Sequence, residues 1–141
     1  MAEDRGLLDT STVILLGRME DPSALPDESV VSTITLAELS VGPLVARSAQ
    51  EQAARQAHLQ QAEADFDALP FDAAAARAFG AVAASLRRAG RTPGARAYDA
   101  LIAATAIAND IPVYTCNPDD FRGIDRLRVK SVPHPDHETR S

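Results

Sequence analysis

Arg96-Ala-Tyr-Asp99-Ala-Leu-Ile-Ala-Ala-Thr-Ala-Ile-Ala108 is the stretch on which the fold of this chain turns. It holds ten apolar residues, one carboxylate and no glycine or proline. Alanine and leucine favour the helix, so the spacing predicts a helix of about three turns. Apolar side chains occupy nearly every angular position, which predicts burial on most of its surface rather than along one stripe. Asp99 falls in the first turn. An ionised carboxylate in so apolar a segment is costly unless a basic side chain, a helix N-terminus or a metal meets it. Taken alone, Asp99 reads as a first-turn acid complementing the helix dipole, with Arg96 as its salt-bridge partner.

Working outward toward the N-terminus, residues 73–89 form an expected helix with Asp72 as N-cap and Gly90 as terminator. Its apolar face is Ala75, Phe79, Val82 and Leu86. Residues 90–94 read as a glycine-containing loop. Residues 69–71 read as a short extended piece, and residues 48–68 as a polar, mostly exposed helix carrying His58 on its surface. Residues 29–34 are β-branched and predict a strand. Thr35 and Glu38 then have capping-box spacing, which would give Glu38 a purely local role at the backbone N–H of Thr35. Gly42-Pro43 is expected to kink or interrupt that helix. Residues 6–9 predict a first strand ending at Asp9. A cap among Thr10, Ser11 and Thr12 leads into a short helix near residues 13–19, and residues 20–28 read as a surface loop.

Toward the C-terminus, residues 111–115 predict a strand, with Pro112 near its start where it is tolerated. Residues 117–121 form a polar turn, and residues 129–132 an edge strand. We expect one domain over residues 1–132 and a flexible tail over residues 133–141. His134 and His137 in that tail have a spacing open to a metal, but two histidines in a flexible end point to no site.

Composition narrows the function classes. With 45% hydrophobic and 24% charged residues the chain is an ordinary globular sequence. No apolar run approaches the ~20 residues that span a bilayer, and no signal-peptide pattern opens the sequence. Cys116 is the single cysteine, which rules out an intramolecular disulfide and fits the reducing cytoplasm. Six aromatics and no tryptophan disfavour extended stacking platforms for single-stranded nucleic acid. A net charge of −6 disfavours a nucleic-acid ligand as well, unless clustered acids are neutralised by a metal. Arg87, Arg88, Arg91 and Arg96 crowd the sequence before Asp99 and read equally as a solvated helix end or as a basic rim.

Short apolar strands alternating with helices predict an α/β sandwich around a mostly parallel sheet of four to five strands. Ligands of such sheets bind outside the carboxyl ends of the strands. Asp9 ends the first strand, Glu38 opens the helix after the second, and Asp119 and Asp120 lie just after the strand ending at Thr115. A central helix starting at the same edge adds Asp99. Carboxylates so gathered repel one another and need a counter-charge. A hard divalent cation, Mg²⁺ or Mn²⁺, takes oxygen ligands and keeps waters, and no His/Cys set with zinc spacing competes. Such an ion suits phosphodiester hydrolysis.

A second class, a receiver-like phosphoacceptor or binding module, fits the length, with Lys130 as its helper. It needs an adjacent acidic pair after the first strand, where this chain reads Leu8-Asp9-Thr10. An aspartyl phosphatase would want an acid two residues after Asp9, where Ser11 stands.

The chain resembles the PIN-domain ribonucleases, specifically the VapC-type toxins of bacterial toxin–antitoxin pairs. The resemblance is carried by Leu8-Asp9-Thr10-Ser11, by Ala37-Glu38-Leu39 with Gly42, by Arg96 to Asp99 running into Ala106, and by Thr115-Cys-Asn117-Pro-Asp-Asp120-Phe121. It implies a PIN-like three-layer sandwich and an Mg²⁺-dependent endoribonuclease that cuts structured RNA such as tRNA or ribosomal RNA. It further implies a homodimer and a cognate antitoxin that covers the acidic pocket. Asp9, Glu38 and Asp99 match the family's acids, with Asp9 and Asp99 as direct metal ligands. Asp120 is preferred as the fourth acid, with Asp119 beside it as the alternative. Ser11 and Asn117 match pocket positions, and Arg96 matches a basic one. The helices between residues 48 and 89 are the expected dimer or antitoxin surface.

Overall fold

The computed structural model describes residues 5–138, except the side chains of residues 93, 95, 137 and 138. Five strands form one sheet: β1 (Arg5–Leu8), β2 (Glu28–Ser32), β3 (Ala68–Leu69), β4 (Val113–Thr115) and β5 (Val129–Ser131). Their spatial order is β3-β2-β1-β4-β5, and every pairing is parallel, with Leu7 opposite both Val30 and Val113. All five strands therefore point their carboxyl ends toward one edge. The helices are α1 (Thr10–Leu15), α2 (Thr33–Leu44), α3 (Ala49–Asp65), α4 (Ala73–Arg88), α5 (Ala97–Ala108) and a short α6 (Pro135–Glu138).

Successive strand residues face opposite sides of a sheet, and here they enter two separate cores. Leu7, Val30 and Val113 pack with Ile102, Ala103 and Ala106 of α5. Their neighbours Leu8, Val31 and Tyr114 pack on the other side with Val13, Leu39 and Ala62 of α1, α2 and α3. A third cluster joins Val82 and Leu86 of α4 to Ala100 and Ala104 of α5. The all-round apolarity of α5 follows from this position between the sheet and α4. Gly6 is required by close approach, because a Cβ there would lie 2.4 Å from the Tyr114 ring on the next strand.

Several local expectations are corrected. The N-cap of α1 is Asp9 itself, not one of Thr10, Ser11 or Thr12: its carboxylate accepts the Thr12 N–H at 3.1 Å. Helix α2 begins three residues earlier than the capping-box reading, with Ser32 as N-cap accepting the Thr35 N–H. The second strand accordingly ends at Ser32 rather than residue 34. Glu38 lies in the second turn of α2 and is free of the capping role. Pro43 does not interrupt α2, which runs on to Leu44. Helix α4 begins after Asp72 and ends at a Gly90 with φ of +76°, as the sequence indicates.

In the C-terminal segment, residues 135–138 make one helical turn and Asp136 pairs with Arg18. His134 Nδ1 accepts the Asp136 N–H at 3.1 Å. The remainder of the expected tail, residues 139–141, and the side chain of His137 lie outside the described residues.

Candidate active site

Strand order reverses direction at β1. The chain leaves β1 toward β2 and β3 on one side, then returns to β4 and β5 on the other. The crevice between the carboxyl ends of β1 and β4 is thus the switch point at which open α/β sheets bind ligands. Asp9 stands there, 2% exposed.

A buried carboxylate requires a full set of donors, and Asp9 has one. One oxygen accepts the Thr12 hydroxyl at 2.6 Å and the Thr12 N–H, and the other accepts the Thr115 hydroxyl of β4 at 2.8 Å. The Ser11 hydroxyl lies 3.1 and 3.0 Å from the two oxygens. Thr115 also accepts the Asn117 N–H at 2.9 Å, so one hydroxyl ties Asp9 to the turn after β4. These bonds fix Asp9 across the switch point.

Glu38 reaches the same rim from α2. It accepts the Thr10 hydroxyl at 2.5 Å, and Thr10 is 2.9 Å from the Thr35 hydroxyl. Burial raises the Glu38 carboxyl above its ordinary range, the Thr10 bond opposes that shift, and the charge of Asp9 adds to it.

Asp99 enters from the first turn of α5. Its carboxyl is pushed up to about 6, first by burial, then by the charges of Asp120, Asp9 and Glu38, with Arg96 opposing. It accepts no hydrogen bond from any described residue. Arg96 is not its salt-bridge partner. The guanidinium instead meets Asp120 at 2.6 Å, so the local pairing expected from the sequence is replaced by one from the turn after β4.

That turn also separates the two candidate fourth acids. Asp120 is half-buried against Arg96, whereas Asp119 is exposed and pairs with Arg122 at 3.3 Å. Asn117 sits at the start of the turn with its side chain exposed and is joined to the site through its backbone, its N–H bonded to Thr115 and its carbonyl accepting the Asp120 N–H at 3.0 Å. Arg91 donates to the carbonyls of Asp119 and Arg122, at 3.2 and 2.9 Å, bracing the turn against the end of α4. Arg88 is paired with Asp125.

The charges of Asp9, Glu38, Asp99 and Asp120 are therefore gathered at one end of the sheet from four sequence-distant segments. The chain matches the PIN domain over residues 7–127. It belongs to the PIN-domain family. Within the family it is of the VapC type: it is 39% identical over 122 residues to ribonuclease VapC5 of Mycobacterium tuberculosis, covering 85% of this chain and 87% of that protein. It is 29% identical to a ribonuclease VapC of Rickettsia bellii, across 92% of this chain and 98% of that one. Among solved structures, a member of the VapBC family of toxin–antitoxin systems, VapBC-5 of Mycobacterium tuberculosis, superposes with a TM-score of 0.78 at 34% identity, covering 92% of this chain and 99% of that chain. FitAcB from Neisseria gonorrhoeae superposes with a TM-score of 0.70 at 26% identity, covering 93% of this chain and 98% of that one. PIN-family membership removes the receiver-like alternative, and Lys130, its helper residue, lies exposed on edge strand β5.

The donor set fits a hard divalent ion. Every candidate ligand is a carboxylate oxygen, and Asp99 is a crowded carboxylate without a hydrogen-bond donor. Among the described residues no three His, Cys, Asp or Glu side chains form a ready-made ligand cage.

Sequence reasoning missed the roles of Thr10, Thr12 and Thr115. The spacing of Asp9 to Thr12 was a legible N-cap signal. The contacts of Thr115 to Asp9 and of Thr10 to Glu38 join residues 106 and 28 positions apart and had no local signal.

Proposed function

We propose that this protein is a divalent-metal-dependent endoribonuclease acting as the toxin of a toxin–antitoxin pair, and that its substrate is a structured RNA such as tRNA or ribosomal RNA. The gathering of Asp9, Glu38, Asp99 and Asp120 at the switch point carries this reading. Asp9 and Asp99 would hold the Mg²⁺ or Mn²⁺ ion, with Glu38 and Asp120 in support. When bound, the ion supplies Lewis-acid activation of water and charge stabilisation at the scissile phosphate.

The protein's own groups do the rest. The hydroxyls of Ser11, Thr12 and Thr115 hold Asp9 in one orientation, so no reorganisation is needed as RNA arrives. Glu38, half-buried and held by Thr10, is placed to take the proton of the attacking water. Arg96 is fixed by Asp120 and lines the same recess as Glu38 and Asp99, where its remaining N–H groups can meet a phosphate oxygen.

The partner is a cognate antitoxin, a reading supported by the VapBC assemblies among the structural neighbours. A groove lined by Thr10, Ile14, Glu38, Leu39, Arg55 and His58 adjoins the acidic pocket through Glu38. Ile14, Val41, Leu44 and Val45 are exposed on α1, at the end of α2 and just beyond it. A protein segment seated there would reach the acids and would run between α1 and α2 on one side and Arg55 and His58 of α3 on the other. The functional unit is proposed to be a homodimer.

The test is cleavage of total cellular RNA by the purified protein, with end-mapping, in Mg²⁺ and in EDTA. Site-specific ends that need Mg²⁺ and vanish in Asp9→Asn are expected. Full Mg²⁺-dependent activity in Asp99→Asn would end the assignment.

A further inference from the structure

We propose that Tyr98 is a substrate-positioning residue whose ring stacks on an unpaired base of the RNA beside the scissile phosphate. The inference rests on the ribonuclease reading and adds a recognition element to it. Tyr98 is 50% exposed, one of few large apolar side chains left open to solvent. A single exposed aromatic means little by itself. This one lines an open recess of about 310 Å³ together with Glu38, Arg96 and Asp99, three residues of the proposed site, and with Gly94 and Ala97. Its hydroxyl makes no hydrogen bond to any described residue.

The recess joins two chemistries on one wall. Arg96 offers a cation held by Asp120, and Tyr98 offers a π-face two residues further along. A nucleotide presents the matching pair, a phosphate joined to a flat base. A Cβ added at Gly94 would meet nothing within 4 Å, its two chain neighbours aside. Bases inside a duplex are stacked on each other and cannot be reached by a side chain, so the base received by Tyr98 must be unpaired. Stacking tolerates every base and gives affinity at this position with little sequence preference. The scarcity of aromatics excludes an extended platform but leaves room for one such contact.

The experiment compares the wild-type protein with Tyr98→Phe and Tyr98→Leu on RNA hairpins whose unpaired loop holds the mapped cleavage site and carries the fluorescent base aminopurine at successive positions. Binding is read in an Asp9→Asn background with Mg²⁺, and cleavage kinetics in otherwise unaltered protein. Quenching confined to positions next to the cleavage point is expected in protein with Tyr98 or Phe at this position and lost with Leu. KM should rise at least about fivefold in Tyr98→Leu with kcat little changed, and Tyr98→Phe should match the wild type. Unaltered melting in Tyr98→Leu would show that folding is not the cause. Equal KM and equal quenching in Tyr98→Leu, in a protein that still cuts RNA, overturns the stacking role alone. A wild-type protein that neither binds nor cuts any RNA overturns the ribonuclease reading and the stacking role together.

Discussion

Asp9 and Asp99 carry the same functional group to the same edge of the sheet, yet their surroundings are opposite. Asp9 is sealed at the end of β1 and receives hydrogen bonds from three hydroxyls and a backbone N–H. Asp99 is half-buried in the first turn of α5, receives no hydrogen bond from any described residue, and its carboxyl is pushed up to about 6. One carboxylate is anchored by the fold and the other is crowded by it. As the proposed metal site, a pocket built this way would separate two requirements. One ligand would be preorganised, and the other would carry an electrostatic demand that a cation could meet.

The largest expected effect erases the difference. Asp9→Asn and Asp99→Asn should each lower RNA cleavage by more than about a hundredfold, because both are proposed to hold the ion. Single-turnover assays at saturating Mg²⁺ check this.

Stability should separate the two again. Asp9→Asn places an amide donor among donors already aimed at a carboxylate and should destabilise the fold by about 1–3 kcal/mol. Thr115→Val removes one of those donors and should cost a similar amount. Asp99→Asn relieves burial and repulsion and should stabilise the metal-free protein by about 1–2 kcal/mol at neutral pH, after allowance for screening of a half-exposed group. Thermal melts in EDTA that shift in the same direction for both asparagine variants would break the comparison.

The pH dependence sharpens it further. Asp99 binds its proton more tightly in the folded chain, with a value of about 6 against an ordinary 3.8. Its contribution to stability is therefore complete below the lower value and is lost as pH rises through the upper one. Melting of the metal-free protein should show this decline between about pH 4 and 6, and Asp99→Asn should flatten it. Saturating Mg²⁺ should oppose the loss by binding the ionised form.

The smallest effect concerns the neighbouring acids after β4. Asp120→Asn should reduce cleavage by about tenfold through release of Arg96, whereas Asp119→Asn should stay within about twofold of wild type. Equal losses in the two would show that the pairing with Arg96 does not matter to the site.

Much of this was legible in the residue order. The helix over residues 97–108, the cap at Asp72, the stop at Gly90 and the strand ending at Thr115 all rest on interactions within a few residues, which local pattern reports. The start of α2 was misplaced for the same reason. Thr35 and Glu38 have capping spacing, but Ser32 one turn earlier offers a better-placed hydroxyl, and the helix starts there. Arg96 was likewise assigned to the nearest acid in sequence, whereas the sheet brings a different one to it. The exposure of Tyr98 and the difference between Asp119 and Asp120 had no local signal, since both depend on which way a turn faces after packing.

The sequence alone indicated most of the elements, the parallel α/β architecture and the candidate acids, because periodicity and capping are properties of short segments. Tertiary structure decided which carboxylate is satisfied by donors and which is crowded by its neighbours. That outcome depends on hydroxyls and charges from remote segments meeting at the carboxyl ends of β1 and β4, and burial and Coulomb repulsion act only once those segments are side by side.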